Sequence, residues 1–159
     1  MKLEFSLDGN NCFLNDGGYV KLLPDTLYRD APADVVKALT ERVRNGEDWR
    51  ELVRNEIQPN NPWLAKIILN ENRNDFLSLI PEFEDGFLAL DVGSGWGQHT
   101  IEISKHGKVC SVEPSPERFD FMRAICSQEG SDQNCFYINS VIKDLANNDR
   151  CIISTKIKE

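Results

Sequence analysis

Apolar positions along the chain follow two regimes. Residues 3–7 alternate Leu3, Phe5, Leu7 with Glu4 and Ser6, which is the period of a half-buried strand. Asp8-Gly9-Asn10-Asn11 is turn chemistry, and Cys12-Phe13-Leu14 can return as a hairpin partner. Asn15-Asp16-Gly17-Gly18 is a second turn, and residues 19–23 read as a third strand. Residues 1–30 are therefore expected to form a small β arm. The period then lengthens. Ala31-Pro32 opens a helix with Val35, Val36, Leu39 and Val43 on one stripe, stopped by Gly46. A second helix carries Trp49, Leu52, Val53 and Ile57 and ends before Pro59. Asn61-Pro62 caps a third, with Leu64, Ile67, Ile68 and Leu69, and a fourth is predicted over 74–80. Trp63 is assigned with Ile67 to a core face. Residues 31–82 are expected to be a helical cap.

From Phe87 onward, short apolar runs alternate with helical stretches. Strands are predicted over 87–92, 108–112, 135–139 and 150–155, with helices over 96–106 and 116–129. Ser115 caps the second of these helices, Pro116 takes its first position and Gly130 ends it. Alternating β and α at this spacing implies a parallel sheet with right-handed crossovers. The fold expected is α/β, a Rossmann-like parallel sheet over residues 83–159, preceded by the arm and the cap.

Composition narrows the partners. A net charge of −8 repels phosphate backbones and anionic lipid, so neither nucleic acid nor a membrane surface is expected as a partner. The first residues have no apolar signal core and no stretch has the length of a membrane span, which points to the cytoplasm. The five cysteines are odd in number and form no C-x-x-C pair, as expected of reduced structural thiols. His99 and His106 have no accompanying ligand set, so no metal site is expected.

The chemistry is concentrated where the first strand of the sheet ends. Residues 87–97 read as an apolar run, the acid Asp91, and a bend containing Gly93, Gly95 and Gly97. Strand, tight turn and helix in that order make a nucleotide-binding corner. Glycines there admit positive φ and let a ligand lie on the main chain, while the following helix is expected to aim free N–H groups at it. The next strand ends in Glu113, so two acids stand at carboxyl ends of adjacent strands. An acid at that place accepts from both hydroxyls of an unphosphorylated ribose. Dinucleotides and S-adenosylmethionine both fit this pattern. The dinucleotide fingerprint needs a third glycine where this chain has Gln98, and Asp91 would lie close to a pyrophosphate. An amino group and a sulfonium suit Asp91 better.

Residues 88–140 resemble the cofactor half of class I S-adenosylmethionine-dependent methyltransferases. The resemblance rests on a strand, an acid and G-x-G-x-G over 88–97, and on a second strand ending in Glu113. It implies that Asp91 holds the methionine end and that Gly93, Ser94, Gly95 and Gly97 line its path. It also implies that Glu113 binds the ribose and that Pro114 faces the adenine. The family often places an acid after the third strand to read the adenine amino group. Asn139-Ser140 stands there, and Ser140 or a main-chain carbonyl is the expected substitute. Residues 72–75 lie where the family's variable cap reaches the site. Trp96 is assigned to packing of the helix start, and His99 to a surface or capping role.

The family's sheet has more strands than this sequence supplies after Gly86, so an incomplete sheet is expected, from a fragment or a natural half-domain. The N-P-P-[YF] tetrad of amino-group methyltransferases is absent from it, and no catalytic base is identified. The expected function is methyl transfer to a small-molecule or sugar-like acceptor. The alternatives are a module that binds S-adenosylmethionine without turnover and, further off, an NAD-dependent oxidoreductase. An exposed sheet edge beside the strand at 150–155 is expected to invite self-association or a partner chain.

Overall fold

The computed structural model describes residues 31–70, 72, 74, 75 and 87–140 in full, and the backbone of four short strands elsewhere. The organising element is a parallel sheet of β4 (Leu88–Val92), β5 (Lys108–Val112), β6 (Cys135–Asn139) and β3 (Tyr19–Lys21), in the order β3-β6-β5-β4. All three pairings are parallel, with Asp91 level with Ser111 and Tyr137. Helix α4 (Gln98–Ser104) crosses from β4 to β5, and α5 (Pro116–Gln128) crosses from β5 to β6. Two successive right-handed crossovers in one direction put both helices on one face. The side chains agree: Asp91 and Ser111 meet Thr100 of α4, and Tyr137 meets Phe119 of α5 edge to face. The fold is thus α/β with an open parallel sheet, Rossmann-like as expected.

Local chemistry explains the element ends. The Ser115 hydroxyl accepts from the Arg118 N–H at 3.3 Å and Pro116 follows it, so α5 starts where its first N–H groups are satisfied or absent. Gly130, at φ +70°, lets the chain leave the helix. Helix α4 begins later than the sequence pattern suggests, because Gly97 sits at φ +89°, outside helical space. Trp96 accordingly belongs to the turn; it is buried and meets Phe121 edge to face at 5.5 Å.

The cap packs against α5. Helix α1 (Ala33–Arg44) buries Val36, Leu39 and Val43 against it. Helix α2 (Trp49–Leu52) continues into a π-helical turn at Val53–Ile57, and Trp49, Leu52, Val53 and Ile57 are all buried. Helix α3 (Pro62–Ile68) is capped by Asn61, whose side chain accepts from the Leu64 N–H at 3.0 Å. The end of α5 fastens this layer: the Trp49 indole N–H donates to Glu129 at 2.7 Å and the Trp49 main-chain N–H donates to Gln128 at 3.0 Å. Glu129 also pairs with Arg50. Burial alone would raise the Glu129 pKa, but Arg50 and Trp49 outweigh it and hold the carboxyl below its ordinary value.

Four sequence expectations change. The third N-terminal strand, placed in the arm by its sequence position, instead extends the parallel sheet beside β6. Within the strand predicted at 150–155, β7 (Ser154–Thr155) pairs antiparallel with β1 (Leu3–Leu7), next to β2 (Asn10–Leu14), in a separate three-stranded sheet. Among the described strands the edge of the parallel sheet is therefore β4, not the strand at 150–155. Trp63 is 70% exposed rather than core, because the stripe of α3 runs through Leu64, Ala65 and Ile68. The fourth cap helix falls largely on residues 76–80, outside those described. Among the described residues no helix is long and apolar enough to cross a membrane, and no group of histidine, cysteine and acidic side chains could hold a metal.

Candidate functional site

The turn after β4 is held from below by the next strand. The Gly93 and Ser94 N–H groups both donate to the Val112 carbonyl, at 2.8 and 3.2 Å. The Gly95 N–H donates to Glu113 Oε2 at 2.8 Å, and the Gly97 N–H donates to the Ser94 carbonyl at 2.9 Å. The main-chain donors of these four residues are thus spent inside the turn. What the turn offers is open main chain. A Cβ on Gly93 would meet nothing within 4 Å, and one on Gly95 would meet only the Gly93 carbonyl, at 3.7 Å. Both residues have positive φ, +71° and +57°. Gly97 differs: a Cβ there would lie 2.7 Å from Met122 Cγ of α5. Its glycine brings the turn against the helix layer, a packing role that its place in the motif does not reveal.

Asp91 is half-buried at the end of β4. Its Oδ2 accepts from the Thr100 hydroxyl at 2.6 Å, and Thr100 in turn is 2.8 Å from the Ser111 hydroxyl. Burial raises the Asp91 pKa above the ordinary carboxylate value; the Thr100 hydrogen bond and nearby His99 offset this only in part. Asp91 is therefore an acid for which a bound cation would do most. Thr100 and Ser111 carry no signal in the sequence, since a hydroxyl inside an apolar run gives no sign of which face it takes. Thr100→Val, which keeps the shape and removes the hydroxyl, is expected to cost about 1–3 kcal/mol by urea unfolding. It should also push the Asp91 pKa higher still, observable by carboxyl NMR titration.

Glu113 is 2% exposed. Its Oε2 takes the Gly95 N–H and its Oε1 takes the Ser115 N–H, both at 2.8 Å. The carboxylate so ties the glycine turn to the cap of α5. Pro114 is half-buried beside it, and Ser140 is fully buried at the end of β6. Asn139, next to Ser140 in sequence, has a positioning role. It donates its amide to the Glu113 and Pro114 carbonyls, at 2.7 and 3.1 Å, and fixes the bend after β5. The Asn139 Oδ1 and the Ser94 Oγ are buried without a hydrogen-bond partner. Asp91, Gly93, Ser94, Gly95, Glu113 and Pro114 thus converge at the carboxyl ends of β4 and β5, with Ser140 at the end of β6.

The cap touches the start of α4. The Asn74 side chain lies 2.8 Å from His99 Nδ1, and the Gln98 amide donates to the Ile67 carbonyl at 2.9 Å. His99 thus joins the helix start to the cap.

No family model matches the chain, and no curated protein matches it. Among solved structures it is similar to phosphoethanolamine N-methyltransferase 1 of Haemonchus contortus, solved with phosphoethanolamine and S-adenosylhomocysteine. The two share 18% identity over 69% of this chain and 21% of that one, with a TM-score of 0.40. The chain therefore spans about a fifth of the length of that enzyme.

Proposed function

We propose that the carboxyl ends of β4 and β5 bind S-adenosylmethionine and that the protein belongs to a methyl-transfer system acting on a small-molecule or sugar-like acceptor. The observation that carries this reading is the glycine turn itself. Its N–H groups at Gly93, Ser94, Gly95 and Gly97 are spent, its Gly93 and Gly95 faces are open, and an acid stands beside it. A pyrophosphate would meet the charge of Asp91, so an NAD-type ligand fits poorly. A ligand that brings its own cations fits well. Asp91 would take the amino group, the open faces of Gly93 and Gly95 would receive the methionine chain, and the unpartnered Ser94 hydroxyl is a donor for its carboxylate. Glu113, Pro114 and Ser140 are proposed for the ribose and adenine end. When bound, S-adenosylmethionine supplies a methyl group activated on a sulfonium; the protein supplies position and exclusion of water. The buried thiols of Cys126 and Cys135 suit a reducing cytoplasm.

A module that holds the ligand without turnover is the second reading. It is favoured by the place of β4 at the edge of the sheet. Ligands of open α/β sheets sit where the strand order reverses, and among the described residues no strand forms the other wall.

Calorimetric titration with S-adenosylhomocysteine, with NAD as control, tests the reading. Binding requires ionised Asp91, so affinity is expected to fall as pH drops through the Asp91 pKa, which lies above the ordinary carboxylate value. Asp91→Asn should weaken binding at neutral pH and flatten that dependence. Binding of NAD alone, or affinity independent of Asp91, would refute the proposal.

A further inference from the structure

Among the described residues no strand pairs with the outer side of β4, and that edge is unusual in its composition. Leu90 and Val92 are 51% and 45% exposed, and with Trp63 they are the exposed large apolar side chains among the described residues. The Lys108 N–H donates to the Phe87 carbonyl and the Gly93 N–H to the Val112 carbonyl. Main-chain groups alternate along a strand, so the odd-numbered residues of β4 face β5 and Leu88, Leu90 and Val92 turn theirs to the open side. Asp91 directs its side chain to α4, so the leucines and Val92 lie on the opposite face of the sheet. The other edge, β3, is only three residues long and includes Lys21, a blunted edge. The β4 edge is five residues, with neither lysine nor proline.

We propose that β4 pairs antiparallel with β4 of a second copy about a two-fold axis at Leu90. The sequence Leu88-Ala89-Leu90-Asp91-Val92 complements itself in that register. Leu90 faces Leu90 of the second copy, and Leu88 faces Val92. Asp91 faces Ala89 rather than another Asp91. The residues with outward main-chain groups are those that meet, so each facing pair exchanges two hydrogen bonds. Parallel in-register pairing would set Asp91 against Asp91 and would not close on a two-fold. The antiparallel arrangement also sends the two glycine turns to opposite ends of one eight-stranded sheet, leaving both accessible. The pairing is independent of what the turn binds.

Sedimentation of the ligand-free protein tests it. The wild type should run as a dimer that dissociates on dilution, and Leu90→Lys should run as a folded monomer at every concentration, with circular dichroism unchanged. Leu90→Cys should be joined to a second copy by a short thiol cross-linker while the wild type, with its own cysteines, is not. This readout stands even where Leu90→Lys fails to fold. A wild type that is monomeric throughout, a dimer that persists in Leu90→Lys, or a Leu90→Cys protein that does not cross-link would overturn the proposal.

Discussion

Gly97→Ala is expected to destabilise the fold by about 2–4 kcal/mol, from a φ that L-residues avoid combined with overpacking against α5. The steric part is specific: the new methyl would lie 2.7 Å from Met122 Cγ and 3.4 Å from Ile125 Cδ1. Met122 is fully buried, so it has little room to move. Gly93→Ala shares the positive φ but meets no neighbour, and is expected to cost only about 1 kcal/mol. Urea midpoints of the two variants separate these causes. In Gly97→Ala/Met122→Ala the overpacking is removed, so the double variant should be more stable than the sum of the single effects predicts. Strict additivity would mean that the turn does not pack on Met122. In ligand binding the order should invert: Gly93→Ala, with its methyl in the open space over the turn, should lose affinity while keeping its fold.

Glu113→Ala is expected to cost about 2–4 kcal/mol in the absence of any ligand. Two hydrogen bonds to a carboxylate, each worth roughly 1.5–3 kcal/mol, are lost, and relief of the buried charge returns part of that. The Gly95 and Ser115 N–H groups would lose their acceptor together, so amide exchange should quicken at both. Glu113→Gln should fall between, since its amide retains one acceptor oxygen. The sequence pattern assigns Glu113 to a ribose. The structure adds a prior duty, which makes the stability of the free protein the informative readout. Unchanged stability and unchanged exchange would show that the carboxylate does not hold the turn.

Much of the sheet was legible because its determinants are local. The apolar runs at 87–92, 108–112 and 135–139, and the caps Asn61 and Ser115, act over a few residues, and the strands begin and end within a residue of them. The acid and glycine spacing located the corner for the same reason. What escaped is set by contacts distant in sequence. Tyr19–Lys21 carries no sign that its partner is β6 rather than the neighbouring hairpin. Gly97 looks like any other glycine of the motif until Met122, a turn and a half into α5, is brought against it. The inward turn of Glu113 depends on where Gly95 and Ser115 present their N–H groups. Thr100, Ser111 and Asn139 become meaningful only when the sheet sets them beside Asp91 and the bend after β5.

The open faces of Gly93 and Gly95, beside Asp91, are proposed to receive S-adenosylmethionine. Amide chemical-shift mapping of the labelled protein during addition of S-adenosylhomocysteine addresses this residue by residue. Saturable shifts are expected at Gly93, Ser94 and Gly95 and along the ends of β4 and β5, with no response to NAD. Shifts confined to other parts of the chain, or none at all in a protein shown to be folded, would contradict the proposal.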